Sequence, residues 1–158
     1  MNQLKVEAEG ERIIRMTRSF NAAKTAVFDA WTKPELVRRW LLGPGDQWSM
    51  PICDIDLRVG GSYRFVWRNQ ATGAEMGLSG EYLEVASPSR IVTTECFDEA
   101  WYPGTAVIAT DFAEQHGITT LTQRITYDSA AARDGVLRSP MERGVSASYD
   151  RLEHVLAK

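Results

Sequence analysis

The sequence SPMERGVSASYDRLEHVL, residues 139–156, repeats apolar side chains at spacings of four, four, three and four. The repeating residues are Met141, Val145, Tyr149, Leu152 and Leu156. Such spacing is typical of an amphipathic α-helix with one buried face. Ser139 as the cap, Pro140 at the first position and Glu142 in a capping box predict where this helix begins. A long helix whose apolar stripe needs a surface to pack on is therefore predicted.

That surface is predicted upstream, where short runs of alternating apolar and polar residues are separated by turn residues. The runs are 11–20, 52–59, 62–68, 76–85, 91–97, 104–112 and 118–127. Alternation with a period of two indicates strands with one buried face. Because turns follow most of the runs directly, we expect an antiparallel meander.

Two short helices are predicted between the first strand and the meander. The segment 24–31 carries an apolar stripe at helical spacing. Thr32 is expected to cap a second helix, with Pro34 in its first turn and the Gly-Pro-Gly sequence at 43–45 ending it. The predicted fold is α+β: a curved antiparallel sheet of six to seven strands around a long C-terminal helix, with two short helices after the first strand.

Length and composition limit the class of protein. With 158 residues, 44% hydrophobic and 25% charged, a single soluble domain over residues 1–158 is expected. No apolar run approaches the roughly 20 residues that cross a bilayer, and residues 1–10 do not resemble a secretory signal. The net charge of −3, without a basic block, argues against nucleic acid and membrane surfaces as partners. A cytoplasmic protein is expected.

The usual metal-binding and catalytic side chains are scarce. Cys53 and Cys96 lie in apolar stretches, which favours buried free thiols in a reducing cytoplasm over a disulfide or a reactive thiol. The two histidines are far apart and match no ligand spacing, so neither a metal nor a cofactor is expected. Asp54 and Asp56 share one strand face, which is predicted to face solvent.

Large aromatic side chains are abundant instead, with five tryptophans in the chain. Trp31 and Trp67 fall on buried faces and fit core packing, whereas Trp40 and two tryptophans near turns fit a cavity rim about equally well. The aromatic candidates for a ligand-binding wall are Trp40, Trp48, Phe65, Trp67 and Trp101.

Three polar residues on apolar faces complete the candidate site. Gln123 shares a face with Leu121 and Ile125, where its amide can bind a ligand oxygen or a neighbouring group. Glu95 shares a face with Ile91 and is a candidate acid or base if that face, and not the opposite one, points inward. Tyr149 lies on the stripe of the terminal helix, with its hydroxyl directed either to a cavity or to solvent.

Several motifs resemble those of a known family. FDAWTKPEL at 28–36, followed by Arg39-Trp40 and Gly43-Pro44, resembles the opening of the heat-shock-protein-90 ATPase activator homologue family. Further similarities are DLRVGGSYRF at 56–65, GEYLEV at 80–85, PSRIV at 88–92 and TTLTQ at 119–123. The resemblance extends over residues 11–157. One departure is Leu41-Leu42, where many relatives carry a second tryptophan next to the first.

The resemblance implies the helix-grip fold of the START-like, polyketide-cyclase-like superfamily, with a deep and mainly apolar cavity. Relatives include proteins that hold hydrophobic molecules, proteins similar to aromatic polyketide cyclases, and proteins that act on a chaperone. Binding of an apolar or aromatic small molecule by a non-catalytic protein is the leading hypothesis. A cyclase or hydratase acting on a polyketide-like substrate is the alternative, and a chaperone partner ranks lowest. The assembly state is left open, with a homodimer among the options.

Overall fold

The computed structural model describes residues 3–100, 102 and 104–157, and within them it contains eight strands and four helices. In chain order they are β1 Lys5–Glu9, β2 Ile13–Phe20, α1 Lys24–Thr32, α2 Pro34–Trp40, β3 Trp48–Ile55, β4 Ser62–Asn69, β5 Glu75–Ala86, β6 Arg90–Phe97, β7 Ala106–Gln115, β8 Ile118–Thr126, α3 Ala130–Leu137 and α4 Met141–Leu156. The α+β class and the long terminal helix are confirmed.

All eight strands belong to one antiparallel sheet, in the order β1-β2-β8-β7-β6-β5-β4-β3. Strands β3 to β8 form the predicted meander, and β2 closes beside β8. The pairing registers shift between Ser49 and Ile52 on β3 and between Tyr82 and Glu84 on β5. Bulges of this kind bend a strand and increase its twist, which helps the sheet to curl around α4.

The predicted strand number is one or two too low. Strand β1, with the sequence KVEAE, adds an edge strand whose Val6 pairs with Met16 of β2. Its glutamates and alanine have low strand propensity, and pairing with β2 supplies the order that the local sequence does not. The two short helices consequently follow the second strand and not the first. Helix α3 was also not predicted.

The boundary between α1 and α2 lies one residue later than predicted. Pro34 occupies the first position of α2, and Lys33 is extended (φ −101°, ψ 118°) and serves as the N-cap. Proline disfavours a helical conformation in the residue before it, which explains the break at Lys33. Thr32 stays in α1, where its hydroxyl donates to the Phe28 carbonyl at 2.8 Å. The predicted Thr32 cap is therefore wrong.

Helix α4 has the predicted stripe but not the predicted cap. Tyr149 and Leu152 are 3% and 0% exposed, so the stripe faces the sheet. Pro140 is the N-cap, without a side-chain cap. The Ser139 hydroxyl donates to the Val136 carbonyl at the end of α3 at 2.6 Å and accepts from the Met141 backbone N–H at 3.3 Å.

Two buried side chains carrying positive charge attach the helices to the sheet. On β2, Arg18 is 4% exposed and lies 3.4 Å from a carboxylate oxygen of Glu153 and 3.6 Å from one of Asp150, both on α4. On α3, Nη1 of Arg133 donates to the carbonyl groups of Gly10 and Ile13 at 3.1 and 2.9 Å. These contacts hold α3 and α4 over the concave face of the sheet.

None of the helices in the described part of the chain is both long and apolar enough to span a membrane.

Candidate functional site

A cavity of about 460 Å³ lies between the concave face of the sheet and α4. Its walls come from β2 to β8, from all four helices and from the segment that joins α2 to β3. The volume falls in the range of about 300–1,000 Å³ that is usual for small-molecule sites. The lining is mainly aliphatic and aromatic, so the arrangement suits an apolar molecule.

Tryptophan rings form the wall next to α2. Trp40 is 1% exposed, and its Nε1–H donates to the Ala30 carbonyl at 2.9 Å. The Nε1–H of Trp67 donates to the Leu41 carbonyl at 2.7 Å. Since both indole N–H groups are bonded to the backbone, the rings present apolar surface to the cavity. Trp31 packs on Trp40 with 4.5 Å between ring centroids and also lines the cavity.

The segment between α2 and β3 forms a second wall and is attached to α4. The Ser148 hydroxyl accepts a hydrogen bond from the Gly43 backbone N–H at 2.8 Å. Nε of Arg151 donates to the Gly43 carbonyl at 3.2 Å, and Nη2 donates to the Gly45 carbonyl. Leu41 and Leu42 line the cavity from this segment, so the wall offers aliphatic side chains here.

Gln123 and Tyr149 face the cavity, but their side chains are hydrogen-bonded to each other. The Tyr149 hydroxyl donates to the Gln123 side-chain carbonyl, and the Gln123 amide donates to the Thr110 hydroxyl at 3.2 Å. Burial raises the pKa of the Tyr149 hydroxyl well above its usual range. The hydroxyl is therefore neutral at every physiological pH, and its proton is already engaged in the hydrogen bond to Gln123.

Glu95 points to the concave side, which settles the strand face that the sequence left open. It lines the cavity with Ile91 and Thr93 of the same strand. The Tyr102 hydroxyl donates to Oε1 of Glu95 at 3.0 Å. Burial raises the pKa of the Glu95 carboxyl, and the Tyr102 hydrogen bond opposes that rise. The group is suited to donating or accepting a proton, or to holding a polar group of a ligand.

Seven of the eight predicted site residues line this cavity. Trp48 and Phe65 line the same cavity, together with Trp40, Trp67, Glu95, Gln123 and Tyr149. Trp101 lies outside the described residues. Whether these side chains bind a ligand stays a prediction.

Several lining residues were not selected from the sequence. They include Trp31, Tyr63, Tyr82, Tyr127, Thr93 and Thr110. The period-two pattern contained a signal for most of them, because Thr93 shares its strand face with Glu95 and Tyr127 shares its face with Gln123.

Both cysteines are free thiols; Cys53 is buried, whereas Cys96 is exposed on the convex side, contrary to expectation. Burial raises the pKa of the Cys53 thiol to about 11. Asp54 and Asp56 face solvent, as their pattern predicted. Across residues 3–100, 102 and 104–157, no three His, Cys, Asp or Glu side chains are grouped so that they could hold a metal ion.

A curled antiparallel sheet that surrounds a long terminal helix, with a cavity between them, defines a helix-grip domain of the START-like class. Solved structures agree. A protein from Rhodobacter sphaeroides has a TM-score of 0.91 and 27% identity over 98% of each chain. A protein from Staphylococcus epidermidis has a TM-score of 0.82 and 27% identity, covering 97% of this chain and 93% of that one. An AHSA1 protein from Silicibacter pomeroyi shares the fold at a TM-score of 0.72 and 23% identity, covering 92% of this chain and 97% of that one.

The chain belongs to the family described as Activator of Hsp90 ATPase homolog 1-like protein, whose sequence profile matches residues 21–157. The resemblance drawn from the sequence motifs is thereby confirmed. A search of the curated proteins found no match.

Proposed function

We propose that this chain is a single START-like domain that binds an apolar, ring-bearing small molecule in the cavity between the sheet and α4. The observation that carries the proposal is the aromatic wall around a space of about 460 Å³. Flat rings offer large contact areas to a ring-shaped ligand. The N–H groups of Trp40 and Trp67 are bonded to the backbone, so a ligand need not satisfy them.

A binding role fits the polar side chains better than a cyclase or hydratase role does. A reaction of that type needs several polar groups that can reach the substrate. Gln123 and Tyr149 are engaged with each other and with Thr110, so changing partners would break buried hydrogen bonds. Glu95 remains as a cavity-facing group with acid–base capacity, which supports ligand positioning more than a complete catalytic arrangement.

Binding can be tested with the neutral fluorophore N-phenylnaphthylamine, which becomes bright in apolar surroundings. Gly144 on α4 lines the cavity, and a Cβ added there would meet no atom within 4 Å. We expect the wild-type protein to bind the probe and Gly144→Leu to bind it at least about tenfold more weakly, because the leucine side chain occupies ligand space.

Gly135→Leu on α3 is the matched control. A Cβ at Gly135 also meets no atom within 4 Å, and this glycine is exposed outside the cavity. It should bind the probe as the wild type does. Circular dichroism establishes that both variants are folded. Absence of probe binding by the wild type, or equal binding by the two variants, would overturn the proposal.

A further inference from the structure

One side chain in the described lining of the cavity belongs to a charged residue type. Among the described residues that line it, Glu95 is the one carboxyl group, and no lysine, arginine or histidine lines it. A carboxylate transferred from water to apolar surroundings without a counter-charge is strongly penalised. The cavity therefore has a carboxyl group for which the protein supplies no positive partner among the described lining residues.

The sheet is built to leave this carboxyl accessible. The strand neighbour of Glu95 on β7 is Ala106, and on β5 Ser79 pairs with Cys96, which places Gly80 beside the Glu95 position. Both neighbours are small. A Cβ on Gly80 would lie 2.5 Å from the Tyr63 ring, so glycine allows that ring to lie over β5. The Tyr63 hydroxyl donates to the Thr94 carbonyl at 2.6 Å, which fixes the ring in place.

Aromatic rings stand around the same position. Tyr102 and Tyr127 pack edge to face with centroids 5.2 Å apart, and Phe97 packs on Tyr102 at 6.2 Å. Ring faces carry negative charge density and attract organic cations. Burial keeps the pKa values of Tyr63, Tyr102 and Tyr127 above the usual range, and the nearby Glu95 carboxylate raises each of them further.

The second oxygen of Glu95 is available to a ligand. Tyr102 donates to Oε1, and no other hydrogen bond to this carboxyl occurs within the described part of the chain. The helices above contribute no charge, since the residues of α3 and α4 that line the cavity near Tyr102 and Tyr127 are Val136, Met141 and Val145. Within the described part of the chain, the titratable groups whose pKa values Glu95 shifts on the cavity side are Tyr63, Tyr102 and Tyr127.

We propose that the ligand is an organic cation, an apolar ring-bearing molecule with one ammonium group that contacts Glu95 and the surrounding aromatic rings. This inference rests on the proposed function. An ammonium group would supply the positive partner that the described cavity wall lacks, and the apolar part of the ligand would extend toward Trp31 and Trp40. A neutral ligand that accepts a hydrogen bond from a protonated Glu95 is the competing outcome.

Three naphthalene compounds with the same ring and different head groups test the inference: naphthylmethylamine, naphthylmethanol and naphthoate. Binding is measured by calorimetry at neutral pH. We expect the amine to bind at least about tenfold more tightly than the alcohol, and the carboxylate to bind most weakly. Glu95→Gln should remove the preference for the amine and leave the affinity for the alcohol within about twofold.

Glu81→Gln is the matched control, because Glu81 is an exposed glutamate on the neighbouring strand β5. It should retain the preference of the wild type. Amine affinity should also rise with pH in the wild type as Glu95 ionises, and this dependence should be absent in Glu95→Gln. Equal or tighter binding of the alcohol by the wild type, or a preference that survives in Glu95→Gln, would overturn the inference. If N-phenylnaphthylamine itself does not bind, the proposed function fails instead.

Discussion

The hydroxyl group of Tyr149 on α4 donates a hydrogen bond to the side-chain carbonyl of Gln123 on β8, and these residues are 3% and 8% exposed. The contact joins the terminal helix to the centre of the sheet. We expect Tyr149→Phe to lower the free energy of unfolding by about 1–3 kcal/mol, because the Gln123 carbonyl loses its buried donor. Urea denaturation measures the loss.

A double variant separates the hydrogen bond from packing. Replacing both partners with apolar groups leaves fewer unsatisfied buried atoms than replacing one. Tyr149→Phe combined with Gln123→Leu should therefore be less destabilised than the sum of the single variants. Strict additivity would show that the two side chains do not stabilise each other.

The buried guanidinium of Arg18 gives a second prediction. Glu153→Gln removes one of its two carboxylate partners, and we expect a loss of about 1–3 kcal/mol in unfolding free energy, because Asp150 remains as a more exposed partner. Glu75→Gln, which breaks the exposed pair with Arg68, should cost less than about 1 kcal/mol.

Arg18→Met serves as a further comparison. Nε of Arg18 is buried without a hydrogen-bond acceptor among the described residues, so removing the whole charge also removes an unsatisfied group. This variant should be destabilised less than Glu153→Gln. A larger loss for Arg18→Met would indicate that the contact of Arg18 with the Phe20 ring, at 4.8 Å, dominates.

The two helical glycines with open surroundings predict stabilising substitutions. Gly135 lies in α3 and Gly144 in α4, and a Cβ at either would meet no atom within 4 Å. Gly135→Ala and Gly144→Ala should each raise the unfolding free energy by about 0.5–1 kcal/mol, because alanine loses less backbone entropy in a helix. Gly80→Ala should be strongly destabilising, since its Cβ would lie 2.0 Å from the Thr94 carbonyl oxygen. Thermal melting compares the three variants.

The cysteines should react with iodoacetamide at very different rates. Burial raises the pKa of the Cys53 thiol to about 11, so at pH 8 little of it is the reactive thiolate. Cys96 is exposed. Mass spectrometry of the native protein should find one alkyl group, on Cys96, and a second should appear only after unfolding. Equal rates in the native protein would contradict the buried position of Cys53.

Glu95 should destabilise the folded protein at neutral pH. Its carboxyl has a raised pKa in the folded state, so the folded protein binds a proton more strongly than the unfolded chain does. The stability penalty appears as pH rises above the unfolded pKa and is absent below it. We therefore expect Glu95→Gln to raise the melting temperature at pH 7 and to have a smaller effect at pH 4. An effect that does not change with pH would argue against an ionising Glu95.

Regular periodicity predicted most of the fold, and the errors have local causes. The stripe of α4 and the alternation of β8 are strong because a whole face of each is buried. Strand β1 has only Val6 and Ala8 as apolar residues, so its order comes from pairing with β2. Helix α3 is short and contains Gly135, although Ser129, whose hydroxyl accepts from the Ala132 N–H at 3.0 Å, was a usable cap signal.

The sequence predicted which strand faces carry residues of the candidate site, but it did not predict which of those residues are hydrogen-bonded to each other. Alternation placed Gln123 on the inward side, yet no local pattern could reveal that Tyr149, 26 positions further along the chain, would bond to it. Glu95 was ambiguous because both faces of β6 carry apolar and polar residues, and burial of Ile91 and Thr93 decides the matter only in three dimensions. Core packing was the favoured interpretation of Trp31, which was left out of the candidate site, whereas one ring can both pack and line a cavity.

The positions of the tryptophans have a spectroscopic consequence. Trp31, Trp40, Trp48 and Trp67 all line the cavity, so the intrinsic emission of the protein reports mainly on that internal space. Emission and far-ultraviolet circular dichroism therefore observe different parts of the molecule, the cavity wall and the hydrogen-bonded backbone. If the packing of the cavity wall is lost before the sheet unfolds, the two signals will change at different denaturant concentrations. The difference between their midpoints then measures how far the stability of the cavity wall differs from that of the sheet.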